Sequence, residues 1–254
     1  MKRKTASLFE IISCADKELN TTAFEDWSAA MNGLQVENNG QVMRIAAAVD
    51  ANEMTLRRAT EQGADLLIVH HGLFWRRPLP LVGAAFRRVQ WCMKNNLAVY
   101  SSHLPLDAHP SLGNNALLAR ALELKNAKPF LEVKGNLIGR WAKADLPRDV
   151  FVKRVKKATQ SSAKVIEGGP SRVRRIGVVS GGAGDLEEAV ALGLDTVVTG
   201  EGKHDSFSWA HENGVNLIYA GHYATETFGV KALAAFLARR FKLPWKFVDC
   251  PSGM

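Results

Sequence analysis

Cysteine and long apolar runs are scarce in this sequence. Its 254 residues include three scattered cysteines, Cys14, Cys92 and Cys250, with no CxxC pair. We therefore expect neither a disulfide scaffold nor a thiolate zinc site, and we expect a reducing compartment. A membrane-spanning helix needs about 18 consecutive apolar residues. No stretch of the sequence is that long, so we expect no membrane contact.

Low-complexity segments that would act as linkers are also missing. Hydrophobic residues make up 46% and charged residues 23% of the chain, which excludes a disordered or fibrous protein. At roughly 100–200 residues per domain, the length fits one large domain or two small ones.

The start of the chain resembles a signal peptide only superficially. Basic residues 2–4 precede a short apolar stretch that Glu10 interrupts. Helical spacing instead predicts an amphipathic first helix, with Thr5 or Ser7 as its N-cap. The apolar residues at this spacing are Leu8, Ile11, Ile12, Ala15 and Leu19. We therefore expect a cytoplasmic protein.

The formal charge is +8, from 33 Lys+Arg and 25 Asp+Glu. The basic residues form small groups, at 76–77, 87–88, 153–157, 172–175 and 239–240. A DNA-binding domain usually concentrates such residues on one helix or face. We interpret the groups as solvated faces and subunit contacts, and nucleic-acid binding stays a secondary hypothesis.

Apolar, β-branched runs alternate with segments of helical period. The predicted strands are 44–49, 65–69, 97–100, 175–179, 195–199, 215–219 and 245–248. The predicted helices are 53–62, 114–124, 186–192 and 225–239. This alternation predicts an α/β fold with mostly parallel central sheets.

The chain also resembles itself at an offset of 130 residues. Residues 44–69 align with 174–199, and each copy reads strand, helix, Gly-x-Asp, strand. A second pair follows in the same order, a strand and then His-x-x-x-carboxylate, at 103–107 and 222–226. We therefore expect a single domain of two pseudo-repeated lobes, 1–126 and 127–254, facing one metal-binding cleft.

Two histidines at a strand end are the first candidate metal ligands. His70 and His71 precede Gly72. Because adjacent strand side chains point to opposite faces, each histidine would serve one of two neighbouring ions. Hydrogen-bonded structural histidines are the alternative for this pair alone.

Three further candidate ligands come from two later segments of the chain. His222 and Glu226 are four residues apart on the inward stripe of a predicted helix, where a buried carboxylate needs a cation. Asp107 lies in a segment that Pro105 and Pro110 are expected to keep out of a regular helix. Considered alone, Asp107 is interpreted as a surface residue in a turn.

Together these residues offer three imidazoles and two carboxylates without a thiolate. This donor set suits iron, zinc, manganese, cobalt or nickel and does not choose among them. Five ligands suit two divalent ions about 3.5–4 Å apart, which lower the pKa of a bridging water.

Five motifs in order closely resemble the Nif-three-like dinuclear metal-centre family, also labelled GTP cyclohydrolase 1 type 2 homologue. They are the segments Asn-Gly-Leu-Gln-Val-Glu at 32–37, Val-His-His-Gly-Leu-Phe-Trp at 69–75, His-Leu-Pro-Leu-Asp at 103–107, Thr-Gly-Glu at 199–201 and Ala-Gly-His-Tyr-Ala-Thr-Glu at 220–226. The resemblance covers nearly the whole chain. It departs at Glu201, where many relatives have Asp, which leaves substrate contacts in the second half open.

The resemblance implies two metal ions per chain held by His70, His71, Asp107, His222 and Glu226. It further implies two similar α/β lobes and a toroidal homohexamer built as a trimer of dimers. Longer relatives carry a domain between the halves, and we expect this chain to lack it.

We interpret the protein as a dinuclear-metal-dependent hydrolase in which a metal-bound hydroxide attacks a nucleotide-like or phosphoester substrate. Taken at face value, the family label implies attack on the imidazole-ring carbon of GTP between its two nitrogens. His103 and His109 are the candidate catalytic residues for proton relay, with structural hydrogen bonds as the alternative.

Two other features have open interpretations. The glycine-rich segment 180–185 follows a strand and is either a triphosphate-binding loop or a tight turn. Phe74 and Trp75 either line the cleft or, as we prefer, pack in the core. The alternative function is a non-catalytic metal-binding or iron-delivery protein, and a nucleic-acid-binding ring is the third.

Overall fold

The fold was obtained as a computed structural model, which describes residues 4–75, 80–184 and 186–253. The chain divides into two compact units. The first comprises Met1–Leu106 and Gly229–Cys250, and the second comprises Asp107–Phe228 and Pro251–Met254. The pseudo-repeat boundary at residues 126 and 127 concerns sequence similarity and stays a prediction.

The helices and strands alternate through most of the described chain. The helices are α1 Leu8–Leu19, α2 Glu53–Glu61, α3 Gly83–Lys94, α4 Leu104–Ala108, α5 Asn114–Ala121, α6 Arg148–Thr159, α7 Glu187–Ala191, α8 Ser206–Asn213 and α9 His222–Phe241. The strands are β1 Ala6–Ser7, β2 Gly33–Val36, β3 Gln41–Val42, β4 Ile45–Asp50, β5 Leu66–His71, β6 Ala98–Ser101, β7 Lys128–Val133, β8 Asn136–Pro147, β9 Lys164–Glu167, β10 Arg172–Gly182, β11 Thr196–Glu201, β12 Asn216–Tyr219 and β13 Trp245–Phe247.

Helix α1 forms as its apolar spacing predicts. Its side chains at the predicted inward positions are buried, and the backbone N–H of Glu10 donates to Oγ of the N-cap Ser7 over 3.4 Å. The helix ends at Asn20, whose left-handed backbone (φ 52°) stops further helical hydrogen bonding.

The first unit contains a five-stranded sheet in the order β13-β4-β5-β6-β2. Its first three strand pairs are parallel, and β2 pairs antiparallel with β6. Strands β4 and β5 are buried except at their last residues, Asp50 and His71. Because both faces of these strands are buried, their sequences are continuous apolar runs.

The second unit contains a six-stranded sheet in the order β7-β8-β10-β11-β12-β9. Strands β10, β11 and β12 are parallel, whereas the other three pairs are antiparallel, so this sheet is mixed. Phe151, Val155 and Ile176 lie in its apolar core. The predicted α/β class is confirmed.

In each of the two aligned segments, an aspartate accepts two consecutive backbone N–H groups. In the first unit Oδ2 of Asp65 accepts the backbone N–H groups of Met43 and Arg44, at 2.6 and 3.1 Å. In the second unit Oδ2 of Asp195 accepts those of Arg174 and Arg175, at 2.8 and 2.9 Å. Each aspartate thereby fixes the start of its strand against the preceding strand.

The segment with Pro105 is helical, which corrects the expectation that Pro105 and Pro110 exclude a helix there. Residues Leu104–Ala108 form α4. Pro105 lies in the first turn, where a backbone N–H has no partner within the helix and proline is tolerated.

Two absences concern the described residues. None of the helices they form is long and apolar enough to cross a membrane. No disulfide joins the cysteines in the described part of the chain.

Candidate metal centre

Three imidazoles converge in the first unit. His70 and His71 end β5, and His103 directly precedes α4. The His70 ring centroid lies 4.7 Å from that of His71 and 4.9 Å from that of His103. One ring nitrogen from each residue lies within 4.8 Å of the others, so this cluster can hold a metal ion.

The two adjacent histidines are followed by a glycine that packs against Gln35. A Cβ at Gly72 would lie 2.2 Å from Nε2 of Gln35, so a larger residue here would displace the Gln35 side chain. Oε1 of Gln35 accepts the backbone N–H of Leu73 over 2.7 Å. The planes of the His70 and His71 rings are tilted by 48° to each other.

Each of the three imidazoles is held through Nδ1. Nδ1 of His70 lies 2.9 Å from the carbonyl oxygen of Ser102, and Nδ1 of His71 lies 2.8 Å from Oδ1 of Asp50. A carbonyl or carboxylate oxygen accepts, so Nδ1 donates and the lone pair of the neutral ring is on Nε2. Metal-binding histidines are oriented in this way.

Asp26 holds the third imidazole, and sequence reasoning missed it. Its Oδ1 lies 2.9 Å from Nδ1 of His103, and its Oδ2 accepts from Asn32 Nδ2 and the Leu104 N–H, at 2.8 and 3.0 Å. Burial alone would raise the pKa of the Asp26 carboxyl. Hydrogen bonding and the charge of His103, with the donors of Asn32 and Trp27, hold that pKa below its ordinary value.

Asp107 is buried in the second unit. Its Oδ1 accepts from Asn114 Nδ2 over 2.8 Å and from Ser180 Oγ over 3.0 Å. The buried Arg140 donates to the backbone oxygen of Ala108 over 2.7 Å, which fixes the chain directly after Asp107. Hydrogen bonds from α5 and β10 therefore hold the Asp107 carboxylate in place.

His222 and Glu226 meet on the first turns of α9, which begins at His222. Nε2 of His222 lies 3.1 Å from Oε1 of Glu226, and Nδ1 lies 3.0 Å from Oε1 of Glu201. A Cβ at Gly181 would lie 2.2 Å from Oε1 of Glu226, so β10 approaches this pair closely.

The two carboxylates change the acidity of His222. Burial lowers the pKa of its imidazole, but hydrogen bonds and charge from Glu226 and Glu201 outweigh burial and raise the pKa to about 9. A site that holds His222 protonated in this way has a surplus of negative charge that favours a cation.

His109 is placed differently from the other histidines. Its Nδ1 lies 3.0 Å from the backbone N–H of Leu112 and 3.3 Å from that of Ser111, so it accepts from both. These contacts match the structural alternative, and proton relay by His109 stays a prediction.

The two aromatic residues after the histidines have different surroundings. Phe74 packs against the core of the first unit. The centroid of the Trp75 ring lies 5.1 Å from that of the His71 ring. It lies 4.6 Å from that of the His103 ring, and these two rings meet edge to face. Trp75 therefore lines the histidine cluster.

A cavity of about 380 Å³ lies in the second unit near the ends of β10, β11 and β12. Among its described lining residues, Glu187, Glu201 and Asp205 are acidic and Lys203 is basic. Of the predicted phosphate loop, Gly182 and Gly184 line the cavity, whereas Asp185 lies outside the described residues.

Several of the basic groups are paired on the surface. Arg87 contacts Glu53, Arg172 contacts Asp145 and Arg154 contacts Glu123. The group at 76–77 lies outside the described residues. These pairs are typical of solvated faces.

The comparisons with known proteins identify the family. The family described as Duf34/NIF3 (NGG1p interacting factor 3) matches residues 6–251, and the chain belongs to it. A relative from Deinococcus radiodurans, named GTP cyclohydrolase 1 type 2 homolog, is 46% identical, with 96% of this chain and 94% of that protein covered. A relative of the same name from Pyrococcus horikoshii is 40% identical, with 96% and 98% covered.

Solved structures show the same fold. TTHA1606 from Thermus thermophilus superposes with a TM-score of 0.87 at 40% identity, covering 98% of this chain and 100% of that one. Reduced HcgD from Methanocaldococcus jannaschii superposes with a TM-score of 0.84 at 26% identity, covering 97% and 99%.

Proposed function

We propose that this protein is a metal-dependent hydrolase of the GTP cyclohydrolase 1 type 2 homologue kind. In this proposal two divalent transition-metal ions are held by His70, His71, Asp107, His222 and Glu226. The supporting evidence is the family membership and the local geometry of the donors in each unit.

The observation that carries the proposal is the fixed orientation of the imidazoles. Nδ1 of His70 and His71 faces an acceptor oxygen, which sets Nε2 as the basic nitrogen of each neutral ring. Metal-binding histidines almost always donate their other ring N–H to a carboxylate or a carbonyl in this way, and here further imidazoles lie beside them.

The donors of the second unit also fit a divalent cation. Asp107 and Glu226 are both at most 5% exposed, and a buried carboxylate is costly without positive charge nearby. Imidazole and carboxylate without thiolate suit iron, zinc, manganese, cobalt or nickel. When bound as a pair, such ions lower the pKa of water and polarise a substrate oxygen.

A nucleotide-like molecule or a phosphoester is the proposed substrate. The cavity beside Glu201 is large enough for a small molecule. Its carboxylates suit the N–H groups of a base and repel a triphosphate, so the lining gives no support to a phosphate at the 180–184 turn. Proton relay by His103 or His109 remains part of this proposal.

The alternative is a non-catalytic metal-binding or iron-delivery protein, which would need the same ligands. Nucleic-acid binding is the third candidate, and the ion-paired arginines make it the weakest. We propose that the protein is cytoplasmic, because three scattered cysteines without a CxxC pair are typical of a reducing compartment.

The test combines metal content with turnover. Metal-free protein is reconstituted separately with Fe²⁺, Zn²⁺ and Mn²⁺, its metal content is measured, and GTP, other nucleotides and a generic phosphoester are supplied. We expect up to two ions per chain and metal-dependent turnover. His71→Ala and Glu226→Ala should lose metal and keep their circular dichroism spectrum, whereas the exposed His211→Ala should keep its metal.

The outcomes separate the candidates. Metal binding without turnover, with ready transfer of iron to an acceptor, would favour the delivery protein. No bound metal after any reconstitution would exclude both. DNA binding that weakens steeply with salt would favour the third candidate.

A further inference from the structure

His103 differs from the ordinary surface histidine in how it is held. Its backbone N–H donates to Oδ1 of Asn32 over 2.7 Å, and its ring Nδ1 lies 2.9 Å from Oδ1 of Asp26. Both contacts join residues more than 70 positions apart in the chain. The imidazole is thus fixed at both its backbone and its ring.

Asp26 is built as a rigid acceptor. Oδ1 accepts the Trp27 N–H over 2.6 Å, and Oδ2 accepts from Asn32 and from the Leu104 N–H at the start of α4. The Asp26 side chain is 4% exposed in its pair with His103, whose side chain is 12% exposed. A carboxylate with this many donors has one orientation, and it gives His103 one orientation too.

The arrangement repeats that of His71, which is proposed above as a metal ligand. Asp50 holds His71 through Nδ1 at 2.8 Å, and Asp26 holds His103 through Nδ1 at 2.9 Å. Both rings then have Nε2 as the basic nitrogen. The His71 and His103 centroids lie 5.7 Å apart, and each ring lies within 5 Å of the His70 ring.

The distances suit a shared ion after side-chain rotation. At Zn–N bonds of about 2.1 Å in a tetrahedral site, two nitrogens on one ion are about 3.4 Å apart. One ring nitrogen of each histidine lies within 4.8 Å of those of the other two, so side-chain rotations that close the largest gap by at most about 1.4 Å suffice.

We propose that His103 is a further metal ligand, which binds through Nε2 beside His70 and His71, and that Asp26 is its positioning residue. The first unit then supplies a three-imidazole site for one ion. This inference rests on the metal binding proposed above but not on hydrolysis. A metal-bound Nε2 cannot also carry a proton, so His109 alone is left as a candidate for proton relay.

The experiment measures metal affinity and the ligand field without any substrate. Metal-free protein is titrated with Zn²⁺ against a chromophoric chelator, and separately with Co²⁺ while the visible absorption spectrum is recorded. We expect His103→Ala and Asp26→Asn each to lower the affinity for one of the bound ions by about 10–100-fold, as substitutions around metal-binding histidines do. The Co²⁺ spectrum of His103→Ala should change, because one nitrogen ligand is lost.

Two variants guard against a trivial loss of folding. His103→Gln keeps an N–H donor toward Asp26. This variant should fold and should still bind the ion more weakly than the unsubstituted protein does. Asp65→Asn is the matched control, because the carboxylate of Asp65 lies in the same unit and accepts the backbone N–H groups of Met43 and Arg44. It should bind Zn²⁺ as the unsubstituted protein does.

The inference fails if His103→Ala and His103→Gln keep the Zn²⁺ affinity and the Co²⁺ spectrum. It also fails if Asp26→Asn lowers only the melting temperature. If His71→Ala loses metal while the His103 variants do not, the five-ligand proposal stands without His103. If no variant and no unsubstituted protein binds metal, the proposed function itself fails.

Discussion

Glu201 holds His222 in place, with Oε1 of the glutamate 3.0 Å from Nδ1 of the imidazole. Glu201 ends β11, and at the 130-residue offset it corresponds to His71, which ends β5. The same strand position thus carries a candidate ligand in the first unit and a residue that orients a ligand in the second. This gives Glu201 a role in orienting His222.

The acidity of His222 predicts a pH dependence of stability in the metal-free protein. The folded pKa of about 9 lies above the ordinary value of 6.5, so protonated His222 contributes stability that is fully present below about pH 6.5. That contribution is lost as the pH rises through about 9. Glu201→Gln removes one cause of the raised pKa.

We therefore expect the melting temperature of the metal-free protein to fall between pH 6.5 and 9, and to fall less in Glu201→Gln. Thermal unfolding followed by circular dichroism at several pH values measures this, with the exposed His211→Ala as control. Identical pH profiles for Glu201→Gln and the unsubstituted protein would contradict the assignment.

Gly181 is predicted to be essential for the second unit's donors. A methyl group there would lie 2.2 Å from Oε1 of Glu226 and 3.3 Å from Nε2 of His222. Gly181→Ala should displace both side chains and reduce the number of bound ions. Elemental analysis after reconstitution measures the loss.

Gly193→Ala separates crowding from backbone strain. Gly193 has nearly the same backbone angle, φ 63° against 61° at Gly181, but its nearest atom would be Arg175 Nε at 3.9 Å. Both variants should lose about 1 kcal/mol or more of stability from the strained backbone. Equal metal content in the two variants would refute the crowding argument.

Ser180 is predicted to stabilise the fold through a charge-assisted hydrogen bond. Its hydroxyl donates to Oδ1 of Asp107, and both residues are buried. Ser180→Ala should therefore lower the free energy of unfolding by about 1.5–3 kcal/mol, measured by urea denaturation of the metal-free protein. The exposed Ser208→Ala should stay within about 0.5 kcal/mol, and a similarly small effect at Ser180 would show that its bond contributes little.

We propose the homohexamer that the family resemblance implies. Apolar side chains at Val82, Phe86 and Met93 are 46–71% exposed along or next to α3, which suits a subunit contact. Light scattering at micromolar concentration should give the mass of about six chains of 27.8 kDa. A mass of one chain would contradict the proposal.

Local sequence patterns predicted the elements with strong periodicity. The inward positions of α1 and the parallel strands β4, β5, β10, β11 and β12 follow from apolar spacing, because a chain must bury these side chains whatever its neighbours are. Strands β7 and β8 were missed, since their exposed and charged residues give no clear period. The hairpin between them turns at Lys134 and Gly135, both with positive φ.

The sequence by itself also determined which side chains can bind metal, because imidazole and carboxylate at strand ends and helix starts are visible in the motifs. Only the tertiary structure decided how those side chains are oriented. Asp26 holds His103 across 77 positions, Asp50 holds His71 across 21, and Glu201 holds His222 across 21. No local period specifies such a pair, because the acceptor reaches the imidazole only after two distant segments have packed into one unit.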